Sequence, residues 1–138
     1  MKYLLDTNIL SELISKTPNQ KVIKYILSLN EDDIYISTIT IGEIKYGIEI
    51  LPKSSKKEKL LSWFYDELLE RFKYKTIDIN SNIMVKWAEL SSRLKQIGRP
   101  LPVMDSLIGA TCLELDYTLI TRNEKDFHDT DINIINPF

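Results

Sequence analysis

The first eight residues, Met1-Lys2-Tyr3-Leu4-Leu5-Asp6-Thr7-Asn8, constrain the fold more than any other stretch. Tyr3-Leu4-Leu5 is a short apolar run, the pattern of a strand buried on both faces. It ends abruptly at Asp6, and Thr7-Asn8 offers an N-cap for the segment Ile9 to Ile14. A carboxylate at the carboxyl end of a buried strand stands where open α/β sheets keep their ligands. The plainer alternative is that Asp6 only closes a strand-to-helix turn.

Further strands are expected at Ile34–Ser37, Thr76–Ile79, Tyr117–Thr121 and Ile132–Ile135, with helical stripes between them. Val22, Ile23, Ile26 and Leu27 fit one helix, and Ile41, Ile44, Ile48 and Leu51 a second. Leu60, Phe64, Leu68 and Phe72 recur every fourth residue, which suggests a long helix from Lys56 to Lys75 with Glu67 and Arg71 paired on its outer side. Asn80 or Ser81 caps another helix, carrying Ile83, Trp87, Leu90, Leu94 and Ile97, that Gly98-Arg99-Pro100 ends. Leu101 to Leu115 is apolar nearly all round and is expected to pack in the interior. Strands alternating with helices imply α/β architecture: a three-layer α/β/α sandwich around a mainly parallel five-stranded sheet, in one domain spanning 1–138.

No apolar run approaches a membrane span, and no signal peptide opens the chain, so a cytoplasmic protein without membrane association is expected. The lone Cys112 excludes an internal disulfide or a cysteine metal cage and reads as a small buried hydrophobe. His128, alone in an acidic stretch, is assigned no role. The net charge of −2 argues against a generally basic nucleic-acid coat, yet it divides as −2 over residues 1–44, +5 over 45–99 and −5 over 100–138. A basic wall beside an acidic pocket and a merely solvated lysine-rich helix start (Lys53, Lys56, Lys57, Lys59) both fit this pattern.

Three further acids stand in awkward places. Glu43 lies within an apolar helix with Gly47 four residues on, Asp105 starts the most apolar helix with Gly109 four residues on, and Asp126 follows the fourth strand. Both glycines are expected to leave open space near the carboxylates. Bland roles exist for each acid: a capping box of Glu43 with Thr40, a helix-dipole contact for Asp105, a turn cap for Asp126. A buried carboxylate without a partner neutralises or destabilises the fold, and only Arg122 and Lys125 are cationic in residues 100–138. If Asp6, Glu43, Asp105 and Asp126 converge, a divalent ion keeps them ionised together. An all-oxygen donor set suits Mg²⁺ or Mn²⁺, and Mg²⁺ retains waters, one of which can attack a phosphodiester.

In four stretches the chain resembles the PIN-domain family and, within it, the VapC-type ribonuclease toxins of toxin–antitoxin pairs. These are Leu4-Leu5-Asp6-Thr7-Asn8, Ser37 to Gly47, Met104 to Ala110, and Leu119 to Phe127. The resemblance implies Mg²⁺- or Mn²⁺-dependent cleavage of RNA, tRNA among the candidates, together with homodimerisation and inhibition by a cognate antitoxin. It places Asp6, Glu43 and Asp105 on the family's acidic, metal-binding positions, and Thr7, Asn8 and Thr121 on polar positions that orient them. Where many relatives carry an acid after the Thr-Arg pair, this chain has Asn123, so Asn123 and Asp126 compete for the fourth catalytic position. A non-catalytic module that binds nucleic acid or an antitoxin is the competing function. An aspartate phosphoacceptor fits less well, because Asn8 stands where a phosphatase needs its second acid.

Overall fold

The computed structural model describes residues 1–138. Its five strands are β1 (Tyr3–Leu5), β2 (Ile34–Ser37), β3 (Thr76–Ile77), β4 (Thr118–Ile120) and β5 (Ile134–Ile135). They form one sheet in the order β3-β2-β1-β4-β5, and every pairing is parallel. The last three strands are shorter than their apolar runs.

Alternation along the central strands divides the core between the two faces of the sheet. Leu5, Ile34, Ile36 and Ile120 face one way, onto α1 (Thr7–Leu13), α2 (Gln20–Ser28), α3 (Thr38–Glu49) and the region of Phe64, Leu68 and Phe72. Leu4 and Leu119 face the other way, toward Ile108, Cys112 and Phe127. Behind these, α6 (Ser81–Gln96) packs Ile83, Leu90 and Leu94 against Ala110 of α7 (Val103–Leu115). The result is the expected α/β/α sandwich.

The long helix expected from Lys56 to Lys75 ends sooner and is not uniform. It runs as α4 (Ser55–Trp63), widens into a π-helical turn at Phe64–Leu68, and finishes as α5 (Leu69–Arg71). A strict four-residue repeat drifts around an α-helix of 3.6 residues per turn. One wider turn corrects the drift and keeps Phe64, Leu68 and Phe72 buried together. Arg71 does not pair with Glu67; its guanidinium forks onto Glu31, with Nε–Oε1 at 2.7 Å and Nη2–Oε2 at 3.0 Å. Lys57 donates to the carbonyls of Glu49 and Leu51, so this member of the lysine run closes the end of α3.

Capping follows sequence chemistry closely. Asn80 Oδ1 accepts from the Ile83 amide and starts α6. Gly98, at φ +73°, ends it: the Arg99 and Gly98 amides bond back to the Leu94 and Lys95 carbonyls, a Schellman arrangement that favours glycine. Trp87 is half-buried and donates its indole N–H to Ser106 at 2.8 Å, locking α6 to α7. Val103 and Met104 leave the N-terminal end of α7 exposed, against the all-round burial its composition suggests. Leu27 is likewise exposed rather than part of the buried stripe of α2.

Phe127 is buried on the short turn Glu124–Phe127, which ties the loop after β4 to the core. Phe127→Ala should cost about 3–5 kcal/mol. Thermal or urea unfolding measures this, and a loss below 1 kcal/mol would show that the loop is not anchored there.

Candidate active site

Asp6 itself caps α1. The helix begins at Thr7, one or two residues earlier than a Thr7-Asn8 cap would allow, and Asp6 Oδ1 accepts from the Thr7 amide at 2.8 Å. The turn-closing role and the site role therefore coincide in one side chain. The β1–β4 register, Leu4↔Leu119 and Leu5↔Ile120, continues with the Asp6 amide on the Ile120 carbonyl and brings Asp6 beside Thr121. Asp6 Oδ2 accepts from the Thr121 hydroxyl at 2.8 Å and from Asn8 Nδ2 at 3.2 Å. Thr121 Oγ1 in turn accepts from the Asn123 amide, and Asn8 Oδ1 accepts from the Arg122 amide. Asp6 is only 3% exposed, and burial raises its pKa against the lowering effect of these three donors.

Glu43 arrives from α3. Ser37, not Thr40, caps this helix, accepting from the Ile39 amide at 3.0 Å, so no capping box involves Glu43. Instead the Thr7 hydroxyl donates to Glu43 Oε1 at 2.7 Å and contacts the Thr40 hydroxyl at 3.2 Å. Asp105 sits in the first turn of α7, where the helix dipole favours a negative charge. Its carboxyl is half-buried, and its pKa is raised from 3.8 to about 6 by burial first, then by the charges of Asp6, Glu43 and Asp126.

Asp6, Glu43 and Asp105 line one cavity of about 360 Å³ at the carboxyl edge of the sheet, with Thr7, Asn8 and Asn123. Ser11, Glu12 and Arg122 complete its wall, and none of them was expected in the site from sequence, where Arg122 stood out only as one of two cations in residues 100–138. Ser11 and Glu12 were accessible to it, since they lie four residues beyond Thr7 and Asn8 on α1 and so share their face. Glu12 is committed to structure: its Oε1 accepts the Asn19 amide at 2.6 Å. Asp126 is exposed and lines a separate hollow with Arg99, Leu101 and Asp129, although its charge still reaches Asp105. His128 lies outside the cavity, exposed and beside Asp129. The Cys112 thiol is buried and its pKa raised by that burial, so it remains a neutral core group. The two glycines differ: Gly47 opens to free space, whereas a Cβ at Gly109 would meet Ile132, Leu90 and Phe127, so Gly109 permits close packing of α7.

No three acidic, histidine or cysteine side chains here close into a finished metal cage. The donors nevertheless suit a hard cation. They are all oxygens, Asp6 Oδ1 and Glu43 each retain acceptor capacity, and no protein donor contributes to the pKa of Asp105.

The molecule is thus an α/β/α sandwich with an acid-lined cavity at the carboxyl edge of a parallel sheet. The chain belongs to the PIN domain family, which it matches over residues 3–133. It is 30% identical to toxin FitB of Neisseria gonorrhoeae over 135 residues, covering 98% of this chain and 97% of the relative. It is 34% identical to ribonuclease VapC2 of Rickettsia felis, covering 92% and 90%. In structure it matches the crystal structure of FitAcB from N. gonorrhoeae with a TM-score of 0.93 at 30% identity, covering 98% of this chain and 97% of that one. The match to VapBC2 from R. felis, bound to a DNA fragment from its promoter, has a TM-score of 0.81 at 31% identity, covering 99% and 98%.

The raised pKa of Asp105 has a stability consequence. The folded chain holds this proton more tightly than the unfolded chain, so stability falls as pH rises from about 4 to about 6 and stays reduced above that. The shift corresponds to roughly 3 kcal/mol; solvent screening of a half-exposed carboxyl reduces this to about 1 kcal/mol. Without divalent ions, Asp105→Asn should therefore raise the melting temperature at pH 8 by a few degrees and make no difference near pH 4. An unchanged or lower melting temperature at pH 8 would show that the carboxylates do not strain the fold.

Proposed function

We propose that this chain is an Mg²⁺- or Mn²⁺-dependent endoribonuclease and the toxin of a toxin–antitoxin pair. One observation carries the reading: carboxylates from the residue after β1, from α3 and from α7, far apart in sequence, face one oxygen-lined cavity with little positive charge around them. The relatives' names, a toxin and a ribonuclease, point the same way.

In this reading Asp6 and Asp105 would hold the metal, and Glu43 would complete its surroundings or orient the attacking water. A bound divalent ion would offset the crowded negative charge, lower the pKa of a water and neutralise charge on the phosphate. The remaining groups keep these side chains in place. Thr121 and Asn8 fix the Asp6 carboxylate, and Thr7 fixes Glu43. Asn123, which lines the cavity, takes the fourth position with a neutral carbonyl oxygen; Asp126 acts from outside through its charge. Hydrolysis would join the water oxygen to phosphorus and break a P–O bond of the RNA backbone, with the water's proton lost to solvent and the departing ribose oxygen taking one up.

A cognate antitoxin that blocks this cavity, homodimerisation and a cytoplasmic location belong to the same proposal. No helix is long and apolar enough to cross a membrane. The competing reading, binding without cleavage, draws on Asn123 in place of an acid and on the unfinished metal cage.

Purified protein should cleave total RNA with Mg²⁺ or Mn²⁺ and lose this activity with EDTA. Asp6→Asn should lower the rate by at least about 100-fold, the loss expected when a group acting on the transition state is removed. Cleavage by Asp6→Asn at the wild-type rate would overturn the assignment. RNA binding without turnover at any divalent-ion concentration would favour the competing reading.

A further inference from the structure

The cavity presents mostly carboxylates to a substrate that is itself a polyanion, so some group must attract the phosphate. Arg122 is the only cationic side chain that lines it. Elsewhere arginines are engaged: Arg71 pairs with Glu31, Arg93 with Asp131 and Arg99 with Asp129. Arg122 joins no such pair despite the acids nearby. Its guanidinium lies over the ring of Phe138, 4.3 Å from the centroid, a cation–π contact that leaves the N–H donors of the fork uncommitted.

That contact is built into the end of the sheet. The Thr121 amide bonds to the Ile135 carbonyl, so the segments after β4 and β5 leave the sheet side by side. Asn136 then bridges them, its Nδ2 donating to the Arg122 carbonyl at 3.4 Å and to Glu124 Oε1 at 3.2 Å. Asn136 Oδ1 accepts the Phe138 amide at 3.0 Å and sets the ring in position. Phe138 packs part of its surface against the core. It lies beyond residues 3–133, over which the family is matched.

We propose that Arg122 contacts the RNA phosphate at this site and that Phe138 is its positioning residue, holding the guanidinium on an aromatic face and away from the neighbouring carboxylates. The inference rests on the nuclease reading. A planar guanidinium matches two phosphate oxygens at once, which an ammonium cannot. A stacked resting position also keeps the fork from being neutralised by Glu43 or Asp105 before substrate arrives.

The test combines cleavage with binding. In Mg²⁺, Arg122→Ala should raise KM for RNA by about 10-fold or more, as expected for losing a charge-assisted hydrogen bond, and Arg122→Lys should recover only part. The slope of log KM against log salt should fall by roughly 0.7, the change expected for one phosphate contact on a single strand. Phe138→Leu should raise KM by about 2- to 5-fold while Phe138→Tyr stays near wild type, because only the latter keeps the aromatic face. Equal effects of Phe138→Leu and Phe138→Tyr would reduce Phe138 to a packing residue and overturn its positioning role. Wild-type KM and salt slope in Arg122→Ala would overturn the phosphate contact.

Binding of fluorescein-labelled bulk tRNA, followed by anisotropy in EDTA across a salt series, separates this proposal from the nuclease reading. Weaker binding and a shallower salt slope in Arg122→Ala support the contact even if the wild-type protein cleaves nothing. Identical binding by both proteins removes it even if cleavage is confirmed. Circular dichroism and melting temperature verify that each variant folds.

Discussion

The burial and crowding of carboxylates at one edge of a parallel sheet is the constraint around which this structure is arranged. Asp6 is buried behind three protein donors, while Asp105 holds its proton up to about pH 6 because burial first, and then the charges of Asp6, Glu43 and Asp126, disfavour its ionised form. Like charges brought together in a half-dry cavity destabilise a fold unless something compensates. The nearby groups compensate only locally. The Thr7 and Thr121 hydroxyls, the Asn8 side chain and the Thr7 amide direct their hydrogens at Asp6 and Glu43, yet no protein donor steadies Asp105. A cation in the cavity would resolve the conflict.

The sheet creates this cluster by topology. Parallel strands place all their carboxyl ends at one edge, and each following helix begins there. Asp6 follows β1 and caps α1, Ser37 ends β2 and caps α3, and Thr121 follows β4 beside Asp6. Asp6 and Thr121, at the ends of neighbouring strands, are thus joined by a hydrogen bond. Burial of Leu4, Leu5, Leu119 and Ile120 on alternating faces fixes that register, because a one-residue slip would turn each of these side chains to the opposite layer.

Much of this was legible in the sequence. Apolar runs located the strands, and alternation with helical stripes gave the α/β class. The resemblance placed Asp6, Glu43 and Asp105 together, and the structure brings them to one cavity. What escaped depends on distances that a linear reading does not contain. Arg71 reaches Glu31 across forty residues instead of Glu67 one turn away. The π-helical turn reconciles a four-residue repeat with helix geometry, a choice that only packing of Phe64, Leu68 and Phe72 decides. Gly109 was read as space and is a tight contact, because Ile132 and Phe127 come from a later part of the chain. Arg122 and Phe138 meet only because β4 and β5 lie side by side, and Asp126, attractive by spacing, falls on the outer side of its turn.

The most direct measurement of the central claim is anomalous diffraction from crystals of the protein soaked in Mn²⁺. A strong peak is expected within about 2–2.5 Å of carboxylate oxygens of Asp6 and Asp105, with Glu43 at its edge and waters filling the remaining positions. An empty cavity at millimolar Mn²⁺ in a well-ordered crystal, or a peak held by other residues alone, would contradict it.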